Sequence, residues 1–183
     1  RLTAREVDTT RQPMRVLGGS GVWELFVPDL ATGELYKFEI RSRATGHIET
    51  KTDPYARAME RRPATASIVM PAVGHAWQDG RRLGDRPQHD WLHAPMSIYE
   101  VHPGSWQRHE DGSFLSWREL AAQLIPYVQQ LGFTHLELLP ITEHPLDDSW
   151  GYQTTGYFAP TSRFGTPDDL KFFIDQCHLA GIG

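Results

Sequence analysis

The chain has 183 residues, of which 39% are hydrophobic, enough to fill one ordinary core or two small ones, so a peptide hormone or a disordered tail is excluded. Its formal net charge is −5 at pH 7 and basic residues form no run, so the positive patch expected of a nucleic-acid or anionic-membrane binder is missing. One cysteine, Cys177, permits neither an internal disulfide nor a cysteine zinc site, and the absence of asparagine removes any N-glycosylation acceptor; the cytoplasm is the expected compartment.

The first third predicts short strands at 14–17, 22–27, 35–41, 47–51 and 65–69. Their separators, Gly18-Gly19-Ser20-Gly21, Pro28-Asp29 with Gly33, and Thr45-Gly46, carry the backbone freedom that hairpin connections need. Apolar residues on both faces of 22–27 predict a sheet covered on each side. Residues 1–70 thus read as part of an antiparallel β-domain. From 71 to 95 the composition turns to Gly, Pro, His, Arg and Asp without periodicity, which reads as a linker or draped loop.

Beyond Pro95 the pattern becomes strand plus helix. Residues 97–101 form a β-prone run, and Ser116-Trp117-Arg118-Glu119 is a capping box ahead of an apolar stripe at Leu120, Leu124, Tyr127 and Leu131. Pro126 inside that stripe predicts a kink or a shortened helix, and Gly132 its end. A strand at 133–139 follows. Thr166-Pro167-Asp168-Asp169 then opens a second helix, with Leu170, Phe173, Ile174 and Cys177 on its apolar side. More than 30 residues separate the strands, the length of a βαβ crossover, so they are expected to be parallel neighbours. The chain starts at Arg1 and closes on Ala180-Gly181-Ile182-Gly183, a helix end about to deliver another element, so a longer protein is expected around it.

In parallel α/β sheets ligands sit at the C-terminal strand ends, which points to His102-Pro103-Gly104-Ser105-Trp106 and to the long loop from Pro140 to Phe158. That loop is rich in Trp and Tyr, whose flat faces suit a sugar ring; packing of Trp150 and Tyr157 onto the fold explains them equally well. Among the carboxylates, Asp147 and Asp148 read as solvated loop residues or caps, and Glu100 and Glu137 as buried, paired structural groups. The histidines show no metal-ligand spacing, and neither a metal nor a cofactor is expected.

The segments 96–106, 131–141, Glu143-His144-Pro145 and Ser149-Trp150-Gly151-Tyr152-Gln153 resemble the bacterial 1,4-α-glucan (glycogen) branching enzymes of the α-amylase superfamily. Residues 21–26, 36–39 and Lys51-Thr52-Asp53-Pro54-Tyr55-Ala56 are similar to the later half of the β-sandwich carbohydrate-binding module that precedes the catalytic barrel there. The resemblance implies a partial sandwich in 1–70, a linker in 71–95, and in 96–183 the first two βα units of a (β/α)8 barrel, which takes about 250 residues when complete. It implies cleavage of an α-1,4-glucan with retention and transfer of the chain to a 6-hydroxyl, in glycogen synthesis. The aspartate nucleophile and glutamate acid/base would lie beyond Gly183, leaving residues 1–183 inactive alone. Tyr152 matches the family tyrosine that stacks on the sugar beside the scissile bond, with Trp150 and Gln153 bordering it; Thr154 stands where the family often has proline. The alternatives are a trehalose-releasing or debranching hydrolase of the same superfamily, or a non-catalytic glucan-binding module.

Overall fold

The computed structural model describes residues 13–71, 74–90 and 92–183; the opening stretch 1–12 of the expected N-terminal module lies outside them. The N-terminal part is built of two-stranded antiparallel pairs. β1 (Arg15–Val16) pairs with β2 (Trp23–Glu24) across the glycine-rich turn, and β4 (Phe38–Arg41) with β5 (Ile48–Lys51) across Thr45-Gly46. β3 (Leu35–Tyr36) pairs instead with the distant β6 (Ser67–Ile68), closing a long excursion. Tyr36 Oη donates to Asp53 Oδ2 at 2.6 Å, and Asp53 N–H donates to Ser67 Oγ at 3.0 Å, so this excursion is pinned at its centre. Burial, Asp53 and the charge it carries all push the Tyr36 phenol upward, keeping it a neutral donor.

The expectation of a sheet covered on both faces is corrected. Val22, Trp23, Leu25 and Phe26 are all exposed, Phe26 by 87%. These pairs bury little by themselves, and two-stranded units need further strands or a packing partner for stability.

The segment read as a linker or draped loop has structure of its own. It holds a short helix, α1 (Gly80–Asp85), and a 3-10 turn at Arg86–Gln88, and it is fastened to the next domain. Asp175, only 1% exposed, shares a hydrogen bond with His75 Nε2 at 3.0 Å and accepts one from Gln78 N–H at 3.1 Å, while Asp79 and His178 meet at 2.7 Å. A buried carboxylate needs such partners to be tolerated, and for Asp175 the connecting segment supplies them from His75 and Gln78.

From Ile98 the architecture is α/β. β7 (Ile98–Val101) is followed by the one-turn α2 (Pro103–Trp106), then α3 (Trp117–Gln130), then β8 (His135–Leu138), which pairs parallel to β7 in the register Ile98 to His135 through Val101 to Leu138. An antiparallel pair follows, β9 (Thr142–Glu143) with β10 (Gly156–Pro160), then α4 (Pro167–Leu179). Both α3 and α4 begin with a capping box, from Ser116 with Glu119 and from Thr166 with Asp169. Both end alike. Gly132 N–H donates to Gln129 and Phe133 N–H to Val128; Gly181 N–H donates to His178 and Ile182 N–H to Cys177. These are Schellman closures, each with a glycine at φ near +79°. The second delivers Gly183 to the free edge of β8, where its N–H donates to Thr134 O and its carbonyl accepts from Leu136 N–H, both at 2.9 Å.

Pro126 does not shorten α3, which runs through it to Gln130. The core is made by α3 and α4 against the strands: Trp117, Leu120, Leu124 and Val128 are fully buried with Phe173, Cys177 and Ile182. Tyr99 packs into this layer on Tyr127 and Phe133, so by strand alternation Glu100 and Glu137 lie on the opposite face. Both are exposed and sit side by side in register, which corrects the expectation of buried, paired carboxylates. Among the described residues no helix is long and apolar enough to cross a membrane.

Cys177 lies inside this core, and burial pushes its thiol up to about 12. Since the thiolate is the reactive form, iodoacetamide at pH 8 is expected to leave Cys177 unmodified in the native protein and to alkylate it in denaturant, read by mass spectrometry. Rapid native alkylation would contradict its placement.

Candidate functional site

The site lies at the C-terminal ends of β7 and β8. Leu139 N–H still donates to Val101 O at 2.9 Å, and beyond it the chain leaves the sheet at Pro140. The β9–β10 pair then turns back over the strand ends. Between them a 3-10 turn at Asp147–Ser149 leads into Trp150-Gly151-Tyr152-Gln153.

Beneath this turn is a buried ion network centred on Arg163, whose side chain is 3% exposed. Its Nη1 donates to Glu143 Oε1 at 3.0 Å, His144 O at 2.8 Å and Thr161 Oγ1 at 3.0 Å; its Nε donates to Asp147 Oδ1 at 2.7 Å, with Nη2 2.6 Å from the same oxygen. Glu143, 4% exposed, also accepts from His144 N–H, Thr161 Oγ1 and, at 2.7 Å, Ser162 N–H. Arg62 reaches the second oxygen of Asp147. Partial burial works against the charge of Asp147, but Arg163 and Arg62 outweigh it and hold the carboxyl below its ordinary range. Asp147, read as a solvated loop residue or a cap, keeps 42% of its side chain exposed but is tied to two arginines, which corrects the expectation of a free loop carboxylate; its neighbour Asp148 is exposed.

Local structure explains how Arg163 is placed. Thr161 caps a 3-10 turn at Ser162–Phe164, so consecutive side chains diverge: Arg163 enters the network while Phe164 packs edge-on to Trp117 at 5.1 Å and to Phe114 at 5.5 Å. The polar site and the apolar core are thus joined through one peptide unit.

The aromatic turn is shaped by two unusual backbones. Trp150 is left-handed at φ 53°, which costs a non-glycine residue on the order of 1 kcal/mol. Its ring is stacked on His102 from the loop after β7, with centroids 5.3 Å apart and planes 19° from parallel. Gly151 has φ 89°, and a β-carbon there would lie 2.3 Å from Pro140 O, so only glycine lets the turn lie against the end of β8. Backbone hydrogen bonds finish it: Trp150 N–H donates to Asp147 O and Tyr152 N–H to Ser149 O, both at 3.0 Å. Desolvation first, then the nearby His144 and Arg108, lowers the pKa of His102. Its imidazole is neutral at pH 7, and Nδ1 is 2.9 Å from Ser105 Oγ.

Trp150, Tyr152 and Gln153 therefore share one turn. All three are exposed, Tyr152 by 70% and Trp150 by 52%. Such a turn offers flat apolar faces with hydrogen-bonding neighbours, which is chemistry for binding a ring rather than for breaking a bond. Among the described residues no group of three or more His, Cys, Asp or Glu side chains could hold a metal ion. His102 and Glu143 lie in the two strand-end loops that the sequence singles out, though no role attaches to them there; Arg62 and Arg163 escaped because each is a single residue with no spacing pattern.

Residues 75–183 match the family described as alpha amylase, catalytic domain, and residues 2–56 match carbohydrate-binding module 48, the isoamylase N-terminal domain. The chain belongs to the alpha-amylase family. Its architecture is accordingly a carbohydrate-binding module 48 domain followed by the start of an alpha-amylase barrel. It is 61% identical over 96% of its length to the 1,4-alpha-glucan branching enzyme GlgB of Methylobacillus flagellatus and 60% identical over the same share to that of Methylococcus capsulatus. In both cases it spans 24% of the relative, about a quarter. A solved alpha-amylase-type structure from Salmonella typhimurium superposes with a TM-score of 0.69 at 28% identity, covering 93% of this chain and 26% of that one.

Because its carboxyl is depressed in the folded state, Asp147 contributes stability that is present above about pH 4 and lost as pH falls through its own lower value. The Asp147→Asn variant is expected to be less stable than wild type at pH 7 and to lose less of its stability between pH 5 and 2, measured by urea unfolding. Parallel acid limbs in the two proteins would contradict the network.

Proposed function

We propose that the chain is part of a 1,4-α-glucan branching enzyme, which cleaves an α-1,4 linkage and transfers the released chain to a 6-hydroxyl, forming an α-1,6 branch in glycogen. The identity of about 60% to branching enzymes along nearly the whole chain carries this reading. It is supported by the site: an exposed Trp150-Gly151-Tyr152-Gln153 turn at the barrel's C-terminal end, where the fold places ligands. Tyr152 is assigned to stack on the glucose ring beside the scissile bond, with Trp150 and Gln153 bordering the same subsite. The partner is an α-1,4-glucan such as amylose or glycogen, and the compartment the cytoplasm, in keeping with a single free thiol.

The division proposed is a carbohydrate-binding module over 1–70, a connecting segment over 71–95 and the catalytic barrel from 96. The contacts of His75, Gln78 and Asp79 with α4 make the connecting segment travel with the barrel. The nucleophile and acid/base are assigned to residues beyond Gly183, so residues 1–183 alone turn nothing over.

The test is product analysis with the full-length protein on amylose. A rise in α-1,6 linkages without matching new reducing ends is expected; reducing ends formed in step with cleavage would mean hydrolysis and overturn the reading. In the same assay Tyr152→Ala is expected to lose about tenfold in kcat/KM, the size of one lost aromatic contact.

A further inference from the structure

We propose that Arg62, from the loop before β6, is a positioning residue for the glucan-binding turn, so that the N-terminal module helps to build the catalytic cleft. The inference rests on the branching reading for its substrate, but its geometry stands on its own. Glu60 closes the 60–66 loop from both sides: its N–H donates to Ala66 O at 2.9 Å and its Oε2 accepts from Ala66 N–H at 2.8 Å. Arg62 sits at the tip of that loop with its side chain 25% exposed and reaches Asp147 Oδ2.

The division of labour at Asp147 is what matters. Arg163 occupies Oδ1 through Nε and Nη2. With that contact alone the carboxylate can pivot about one oxygen; Arg62, arriving from a different element, holds the other. Asp147 is also the residue whose carbonyl accepts from Trp150 N–H, and the same turn ends in the Ser149 to Tyr152 hydrogen bond. Fixing both oxygens of Asp147 therefore fixes the plane from which Trp150 and Tyr152 project. The junction around it is close-packed. Ala56, Met59 and Ala159 form a buried cluster, and a β-carbon on Gly156 would lie 2.3 Å from Met59 Sδ. A loop held that tightly transmits position instead of drifting.

Arg62 touches neither the aromatic faces nor any reacting group, so its loss should weaken substrate placement and spare the chemical step. In the full-length enzyme, Arg62→Gln is expected to raise KM for amylose about fivefold with kcat within twofold, as befits a partly exposed ion pair. Arg62→Lys is expected to recover part of that rise, and Arg62→Gln in an Asp147→Asn background to add little, because the two side chains act as one unit. Unchanged KM in Arg62→Gln, with wild type active on amylose, overturns the positioning role and leaves the branching reading intact. Equal losses in Arg62→Gln and Arg62→Lys, with a lowered melting temperature and additive effects with Asp147→Asn, show a purely structural contact and also overturn it. A wild-type enzyme that neither converts nor binds amylose overturns both.

Discussion

The buried guanidinium of Arg163 is the constraint on which the candidate site depends. A charge taken out of water is tolerated only with partners in good geometry, and removing one partner of such a pair costs about 3–5 kcal/mol. Arg163 has them in Glu143, Asp147, Thr161 and the His144 carbonyl. These partners come from three places along the long excursion after β8: the neighbours Glu143 and His144, then Asp147, then Thr161. Satisfying one cation therefore folds the excursion: it brings β9 against β10 and sets the 3-10 turn that carries Trp150. The next residue, Phe164, wedges between Phe114 and Trp117 in the core. Neither half can move without the other.

This coupling explains why an exposed aromatic turn can be well defined. Trp150 and Tyr152 are open to solvent and gain little from burial. Their positions come from beneath, through the Asp147 carboxylate and carbonyl, and from the side, through the close approach of Gly151 to Pro140 and the stack of Trp150 on His102. An exposed turn that is to bind a ligand benefits from such preorganisation, because ordering costs met during folding do not weaken affinity. The left-handed backbone at Trp150 is the kind of local strain that persists where surrounding contacts over-determine it.

Much of the α/β part was legible in the sequence because its signals are local. Ser116 with Glu119, Thr166 with Asp169, and the glycines at 132 and 181 mark helix ends by hydrogen bonds spanning three to five residues, and the structure makes each of them. The hairpins at Gly18-Gly19-Ser20-Gly21 and Thr45-Gly46 are local in the same sense. What was not legible is long-range. Asp175 meets His75, about 100 residues away, and Arg62 meets Asp147 across 85; no spacing rule connects such pairs. Glu100 and Glu137 misled because apolar neighbours along a strand say nothing about which face is covered. The apolar residues on both faces of 22–27 misled for the same reason.

If the Arg163 network sets the aromatic turn, then loosening it should release that turn first. Hydrogen exchange read on the amides of 147–153 tests this most directly, comparing wild type with Arg163→Met in the full-length protein. Faster exchange at Trp150 and Tyr152, with the amides of α3 and α4 still protected, is the expected result. Unchanged protection of the turn, or a uniform loss of protection across the domain, would contradict the account.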